Sequence, residues 1–264
     1  MKATESNAVM ILSKRVSALL ITIVTSIVCS VVVVQAQARS LKPKFATVNE
    51  RVLSAKAIAS KVSRALVLII TQDEEGKPVT SGSGFFYDLR SPNRPHLPPG
   101  VLFADGDIAT TLHVFKGASQ GYVKMNGDGA TYRITEIVAI DKKHDLCVFR
   151  AAGATAEPLT VESGIKPAVG EDIYVGGNPR GLEATISKGI VTALRLEAGL
   201  IQLDASISPG SSGGPVVNNR GHVIGIVTGS LTEGQNLNFA VEAKLLATLD
   251  LNLNITVSAA GALP

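Results

Sequence analysis

From residue 65 onward the chain is a succession of short apolar runs separated by Gly, Asn and Asp. The first two are 65–71 (ALVLIIT) and 82–87 (GSGFFY), and others cover 107–112, 121–125, 130–140, 146–151, 172–175, 185–194, 200–204, 215–217 and 222–229. Many short strands broken at close intervals form an all-β sandwich or barrel. Gly127-Asp128-Gly129 and Asn218-Asn219-Arg220-Gly221 carry turn residues between strands. The segment 91–100 (SPNRPHLPPG) holds four of the twelve prolines and cannot continue a ladder, so it is expected as a surface loop with His96 solvated. Ahead of the strands, apolar residues at 48, 52, 55, 58, 59 and 62 follow helical spacing. Residues 242–249 read as a short closing helix.

Hydrophobic residues make up 45% and charged residues 18% of the 264, which places the chain among globular proteins rather than disordered ones. With no tryptophan, the core is built chiefly from Val, Ile, Leu and Ala. Lys14 and Arg15 precede an uncharged stretch from Val16 to Val34, and Ala36-Gln37-Ala38 follows it. That order of charge, apolar run and small residues describes a secretory signal over 1–38, so export to a periplasm or outside the cell is expected. The 19-residue run is also long enough to span a bilayer, which leaves a membrane tether through 16–34 as the alternative. Cleavage after Ala38 lowers the net charge from +3 to +1, and a near-neutral domain has no strong affinity for nucleic acid. Residues 39–56 then read as a linker and helix start, 57–250 as one domain and 251–264 as a tail. Oligomeric state is not legible.

Only Cys147 remains beside the Cys29 of the signal segment, so no intramolecular disulfide is expected. Cys147 lies in an apolar run and reads as a small core residue. Four scattered histidines and one cysteine offer no metal-ligand spacing, and no cofactor is expected.

Three segments carry chemistry. Ile108-Ala109-Thr110-Thr111-Leu112-His113-Val114 delivers a histidine from a strand into a turn. Asp141-Lys142-Lys143-His144-Asp145-Leu146 places a carboxylate at the head of an apolar strand. Ser208-Pro209-Gly210-Ser211-Ser212-Gly213-Gly214-Pro215 contains G-x-S-G-G-P between apolar strands. Small residues there let backbone amides approach a substrate, and the amides of Gly210 and Ser212 are candidates for an oxyanion hole.

These segments resemble the His, Asp and Ser motifs of trypsin-like serine proteases, and specifically of the HtrA/Deg branch. The order His, Asp, Ser is that of the chymotrypsin fold, with 32 residues from His113 to Asp145 and 67 more to Ser212. Gly82-Ser83-Gly84-Phe85, Gly177-Asn178-Pro179-Arg180-Gly181, Gly221-His222-Val223-Ile224-Gly225-Ile226 and Asn238-Phe239-Ala240-Val241 are similar to further motifs of that branch. The resemblance implies two six-stranded β-barrels with short terminal helices. It implies a serine endopeptidase acting on exported or unfolded proteins, with His113, Asp145 and Ser212 as its triad. It places substrate-pocket walls at Ser206, Ile207, Thr228, Gly229, Ser230 and Asn238. None is acidic, so a small or aliphatic residue is expected at the cleaved bond.

The register selects Ser212 over Ser211 as nucleophile. His144 is set aside as base because neighbours on a strand face opposite ways, and His222 reads as an exposed strand residue. Ser211 stands where most of the branch carries Asn and animal enzymes carry Asp, so activation by a new N-terminus is not expected. Only about fifteen residues follow the closing helix, too few for the PDZ domain usual in the branch. The competing readings are a latent protease-fold scaffold and an esterase using the same triad.

Overall fold

The computed structural model describes residues 51–90, 106–127, 129–164, 166–179, 184–230, 237–251, 253 and 255–256. The signal segment with Cys29, residues 39–50 of the linker, and His96 with its proline-rich loop lie outside the described residues. The chain separates into Met1–Asn49 and Glu50–Pro264, and every described residue belongs to the second unit.

Helix α1 spans Ala55–Ala65, later than the hydrophobic spacing alone suggests. Its start is set by Ser54, whose Oγ accepts a hydrogen bond from Ala57 N at 3.2 Å. Ile58, Val62 and Ala65 form its buried face.

Six strands follow: β1 (Leu66–Gln72), β2 (Pro78–Arg90), β3 (Ile108–Thr111), β4 (Gln120–Met125), β5 (Thr131–Asp141) and β6 (Leu146–Ala151). They pair in the order β1-β4-β5-β6-β3-β2, and β2 pairs back onto β1, closing a six-stranded barrel. Its interior is filled by Val67, Ile69, Phe86, Ile108, Val123, Ile134 and Phe149 among others. Strand β6 shows why the run 146–151 does not alternate in sequence. Cys147 and Phe149 pack with the barrel interior, while Leu146 and Val148 join a second cluster on the opposite face. Both faces of the strand are therefore apolar.

The second half holds β7 (Leu159–Glu162), β8 (Asp172–Gly177), β9 (Thr185–Arg195), β10 (Leu200–Leu203), β11 (Pro215–Asn218), β12 (His222–Ser230) and β13 (Asn238–Glu242). Strand β2 is long enough to leave the barrel and pair in parallel with β7, which pairs in parallel with β12. Beyond β12 the pairing runs β11, β8, β9, β10, β13, and β13 also pairs with β12. A short β14 (Ile255–Thr256) adds to β5. Residues 243–248 close the domain as a 3₁₀ turn rather than an α-helix.

His222 is 5% exposed, not the solvent-facing residue the sequence suggests. Residues 222–227 of its strand are all buried, and successive side chains point to opposite faces, so both faces of the strand are covered there. Among the described residues, no helix is long and apolar enough to cross a membrane.

Candidate active site

The histidine and serine segments meet at strand β2. A methyl group built on Gly82 would lie 2.6 Å from Val114 Cγ2 and 3.2 Å from Ser212 O. His113 thus leaves the buried strand β3 in the 3₁₀ turn Leu112–Phe115, beside the loop that carries Ser212.

Asp145 grips that turn at two points. Its Oδ1 accepts from His113 N at 2.8 Å, and its Oδ2 lies 2.6 Å from His113 Nδ1. A third bond runs from Leu112 N to Asp145 O at 3.0 Å. Asp145 has φ +57°, the one positive φ outside glycine among the described residues. Holding a carboxylate residue in this region costs on the order of 1 kcal/mol or more, and the bonds to the histidine turn offset that cost. Thr228 Oγ1 donates to Asp145 Oδ2 at 3.0 Å. The β12–β13 register slips between Val227 and Gly229, so Thr228 is the extra residue of a bulge that turns its side chain toward Asp145.

Burial pushes the Asp145 carboxyl up, but the His113 hydrogen bonds, the His113 charge and the Thr228 hydroxyl together hold it below the usual carboxylate range. An ionised carboxylate only accepts, so in the neutral tautomer that this pairing selects His113 Nδ1 carries the proton and Nε2 is the acceptor. The His113 side chain is 42% exposed. Among the described residues no hydrogen bond joins His113 to Ser212.

The loop of Ser212 owes its path to glycine. Gly210 has φ +97° and Gly213 φ +83°. A Cβ on Gly213 would run into Ser83 O and Thr110 Oγ1, and one on Gly214 into Gly176 O. Ser211 is buried, and its Oγ accepts from Ser208 N at 3.3 Å. That side chain is spent inside the loop, while Ser212 remains partly exposed.

His144 is engaged elsewhere: its Nδ1 lies 2.6 Å from Asp141 Oδ2. It sits in the turn before β6, not on a strand, so its separation from Asp145 comes from the Asp141 pairing rather than from strand alternation. Asp141 Oδ1 also accepts from Lys143 N and His144 N at 2.9 and 3.1 Å, which shapes the turn that presents Asp145. Burial pushes the Asp141 carboxyl up, and the His144 bonds and charge more than reverse this. A folded value below the unfolded one stabilises the protein above about pH 4, and that stabilisation is lost as pH falls through the folded value. Asp141→Asn is expected to cost about 1 kcal/mol at pH 7 and to make the acid loss of stability shallower. Urea unfolding at pH 7 and pH 3 checks this; the same loss between the two pH values in both proteins would count against it.

Of the residues expected to line a pocket, Asn238 is buried and its Nδ2 donates to Ala205 O at 2.8 Å, joining β13 to the loop before Ser212. Ser206 is exposed and its carbonyl accepts from Ser187 Oγ at 2.7 Å. Ile207 packs on the cluster of Ile173, Val191 and Leu203. Gly229 faces open space, with nothing within 4 Å of a built Cβ. Ser230 ends β12 opposite Asn238. Thr228 spends its hydroxyl on Asp145. Sequence reasoning missed that role, because the bulge that creates it leaves no local signal. Cys147 is buried and unpaired, and burial with the nearby Asp145 charge drives its thiol far up, which keeps it inert. Among the described residues no group of three His, Cys, Asp or Glu is placed to hold a metal ion.

A family profile described as "Trypsin-like peptidase domain" matches residues 99–226, which include His113, Asp145 and Ser212. The chain is 30% identical over 220 residues to the putative serine protease HhoB of Synechocystis sp., covering 74% of this chain and 52% of that protein. It is 33% identical over 180 residues to a probable periplasmic serine endoprotease, DegP-like, of Halomonas elongata, covering 59% of this chain and 38% of that one. The crystal structure of the serine endoprotease from Yersinia pestis superposes with a TM-score of 0.61 at 26% identity, covering 75% of this chain and 66% of the other. The chain spans about half the length of the first of these relatives, and less of the second.

Proposed function

This chain carries a trypsin-like peptidase domain of the HtrA/Deg type, and we propose that it works as a serine endopeptidase on exported or unfolded proteins. The observation that carries this reading is the 2.6 Å contact between His113 Nδ1 and Asp145 Oδ2, beside the glycine-framed loop of Ser212. A serine hydroxyl is a weak nucleophile until a base takes its proton. His113 Nε2 takes it, and Ser212 Oγ bonds to the carbonyl carbon of the scissile amide. The carbonyl oxygen becomes an oxyanion facing the amides of Gly210 and Ser212. As the tetrahedral adduct collapses, the C–N bond breaks and His113 gives its proton to the leaving amine. Water then attacks the Ser212 ester with His113 again as base, releasing a carboxylic acid and restoring the hydroxyl.

Residues 57–250 are assigned to the peptidase domain and 1–38 to an export segment. The closed circuit β12-β11-β8-β9-β10-β13 supports a second six-stranded barrel beside the first. The uncharged residues Ser206, Ile207, Gly229, Ser230 and Asn238 support a preference for a small or aliphatic side chain at the cleaved bond. The test is fluorophosphonate labelling of the folded protein with casein hydrolysis in parallel. One labelled serine and released peptides are expected; folded protein that neither labels nor cleaves would leave only a scaffold.

Thr228 acts here as a positioning residue through Asp145. Thr228→Val is expected to lower kcat/KM roughly 10-fold, the scale of one hydrogen bond to a charged group. Peptide kinetics alongside urea unfolding check it, and unchanged kinetics would remove Thr228 from the site.

A further inference from the structure

Ser83 is wholly buried on β2 and makes four hydrogen bonds beyond its strand ladder. Its Oγ donates to Gly210 O at 2.7 Å and accepts from Asn178 N at 2.8 Å. Its amide donates to Ser212 O at 2.7 Å, and its carbonyl accepts from Thr110 Oγ1 at 2.7 Å. A buried hydroxyl in a barrel strand is costly unless satisfied, and this one is satisfied by the backbone of two loops.

Three successive carbonyls of the loop are tied inward. Gly210 O takes the Ser83 hydroxyl, Ser211 O takes Gly214 N at 2.9 Å, and Ser212 O takes Ser83 N. Of the amides, Ser211 N donates to Ser208 O, Gly213 N to Val227 O and Gly214 N to Ser211 O. The amides of Gly210 and Ser212 have no acceptor among the described residues. Those two are the pair that the proposed chemistry needs free.

Gly210 is the weak point of this arrangement. At φ +97° with no Cβ, nothing in its own covalent structure opposes rotation of its flanking peptide units. Its carbonyl takes one hydrogen bond among the described residues, the one from Ser83 Oγ. That carbonyl shares its peptide plane with Ser211 N, so the plane is held from within the loop by the bond to Ser208 O and from outside it by one buried hydroxyl on strand β2.

We propose that Ser83 is a positioning residue whose hydroxyl clamps the Gly210 carbonyl inward, so that the oxyanion amides are set before a substrate arrives. This rests on the serine-peptidase reading above. Preorganised donors act mainly in the transition state, so loss of the clamp falls on kcat rather than on ground-state binding. The clamp also ties the loop to Asn178 of the 177–179 segment, since the same oxygen accepts from Asn178 N.

The test compares the full-length protein with Ser83→Ala and Ser83→Cys, the second keeping a weak donor of similar size should alanine disturb folding. The readouts are kcat and KM on a peptide substrate, the Ki of a peptide boronic acid that forms a tetrahedral adduct, and thermal unfolding. In Ser83→Ala, kcat is expected to fall roughly 10- to 100-fold with KM within about threefold. The boronate Ki is expected to rise by a similar factor, with Ser83→Cys between parent and alanine. An active parent with kcat and boronate affinity unchanged in both variants would overturn the clamp alone, whatever happens to thermal stability. An elevated KM at constant kcat would overturn it too. A folded parent without any activity would sink the peptidase reading and this one together.

Discussion

Ser212→Ala is expected to lower peptide hydrolysis on the order of 10⁶-fold and to abolish fluorophosphonate labelling, while Ser211→Ala keeps most of the activity. The two serines are neighbours, but the loop treats them oppositely. Ser211 is buried with its Oγ accepting from Ser208 N, and its amide and carbonyl are both used by the loop. Ser212 has its carbonyl anchored on Ser83 N, and its hydroxyl makes no hydrogen bond among the described residues. Removing Oγ from Ser212 deletes the atom that forms the acyl bond, and no neighbouring hydroxyl is placed to replace it. What residual rate survives comes from amides and binding, which the substitution leaves in place. Labelling and kinetics of both variants decide the point. Activity retained in Ser212→Ala and lost in Ser211→Ala would reverse the assignment.

Asp145→Asn is expected to lower kcat on the order of 10⁴-fold with the fold intact. The carboxylate does two tasks with two oxygens. Oδ1 holds the backbone of the histidine turn through His113 N, and Oδ2 holds the imidazole proton on Nδ1. Asparagine can keep the first task with its carbonyl oxygen. Its NH₂ must then face Nδ1, which forces that nitrogen to become the acceptor and moves the ring proton to Nε2. Nε2 then has no lone pair to take the serine proton, so the base is lost without loss of the residue. The amide also fails to stabilise the imidazolium that forms during turnover. A kcat loss with KM nearly unchanged and a parent-like unfolding curve is the expected pattern. Equal activity in Asp145→Asn would mean that His113 is not oriented by this pair.

The strand map was largely open to sequence reading because its physics is local. Short β-branched runs between turn formers state where strands begin and end, and β6 at 146–151 coincides with its apolar run. Strand β7 (Leu159–Glu162) was not legible, since four residues carry too little pattern to stand out from a loop. The start of α1 was misplaced for a related reason: hydrophobic spacing reports a face, whereas the boundary depends on the Ser54 cap.

His222 shows the limit from another side. Its burial depends on what packs over both faces of β12, whose residues 222–227 are all buried, and that is set by segments far from it in the chain. Thr228 and Ser83 are the same case at the site. One gains its role from a bulge against β13, the other from two loops that reach it across 95 and 127 positions.

What the sequence by itself determined is the β-rich class, most of its strands and the three segments bearing His113, Asp145 and Ser212, because residue type and spacing act over a few neighbours. Only the tertiary structure decided that Asp145 binds both the ring and the backbone of His113, that His144 belongs to Asp141, that Ser83 bonds to Gly210 and that Thr228 bonds to Asp145. Those facts depend on strand pairing and loop contact between segments far apart in the chain, where geometry, not local propensity, selects the partner.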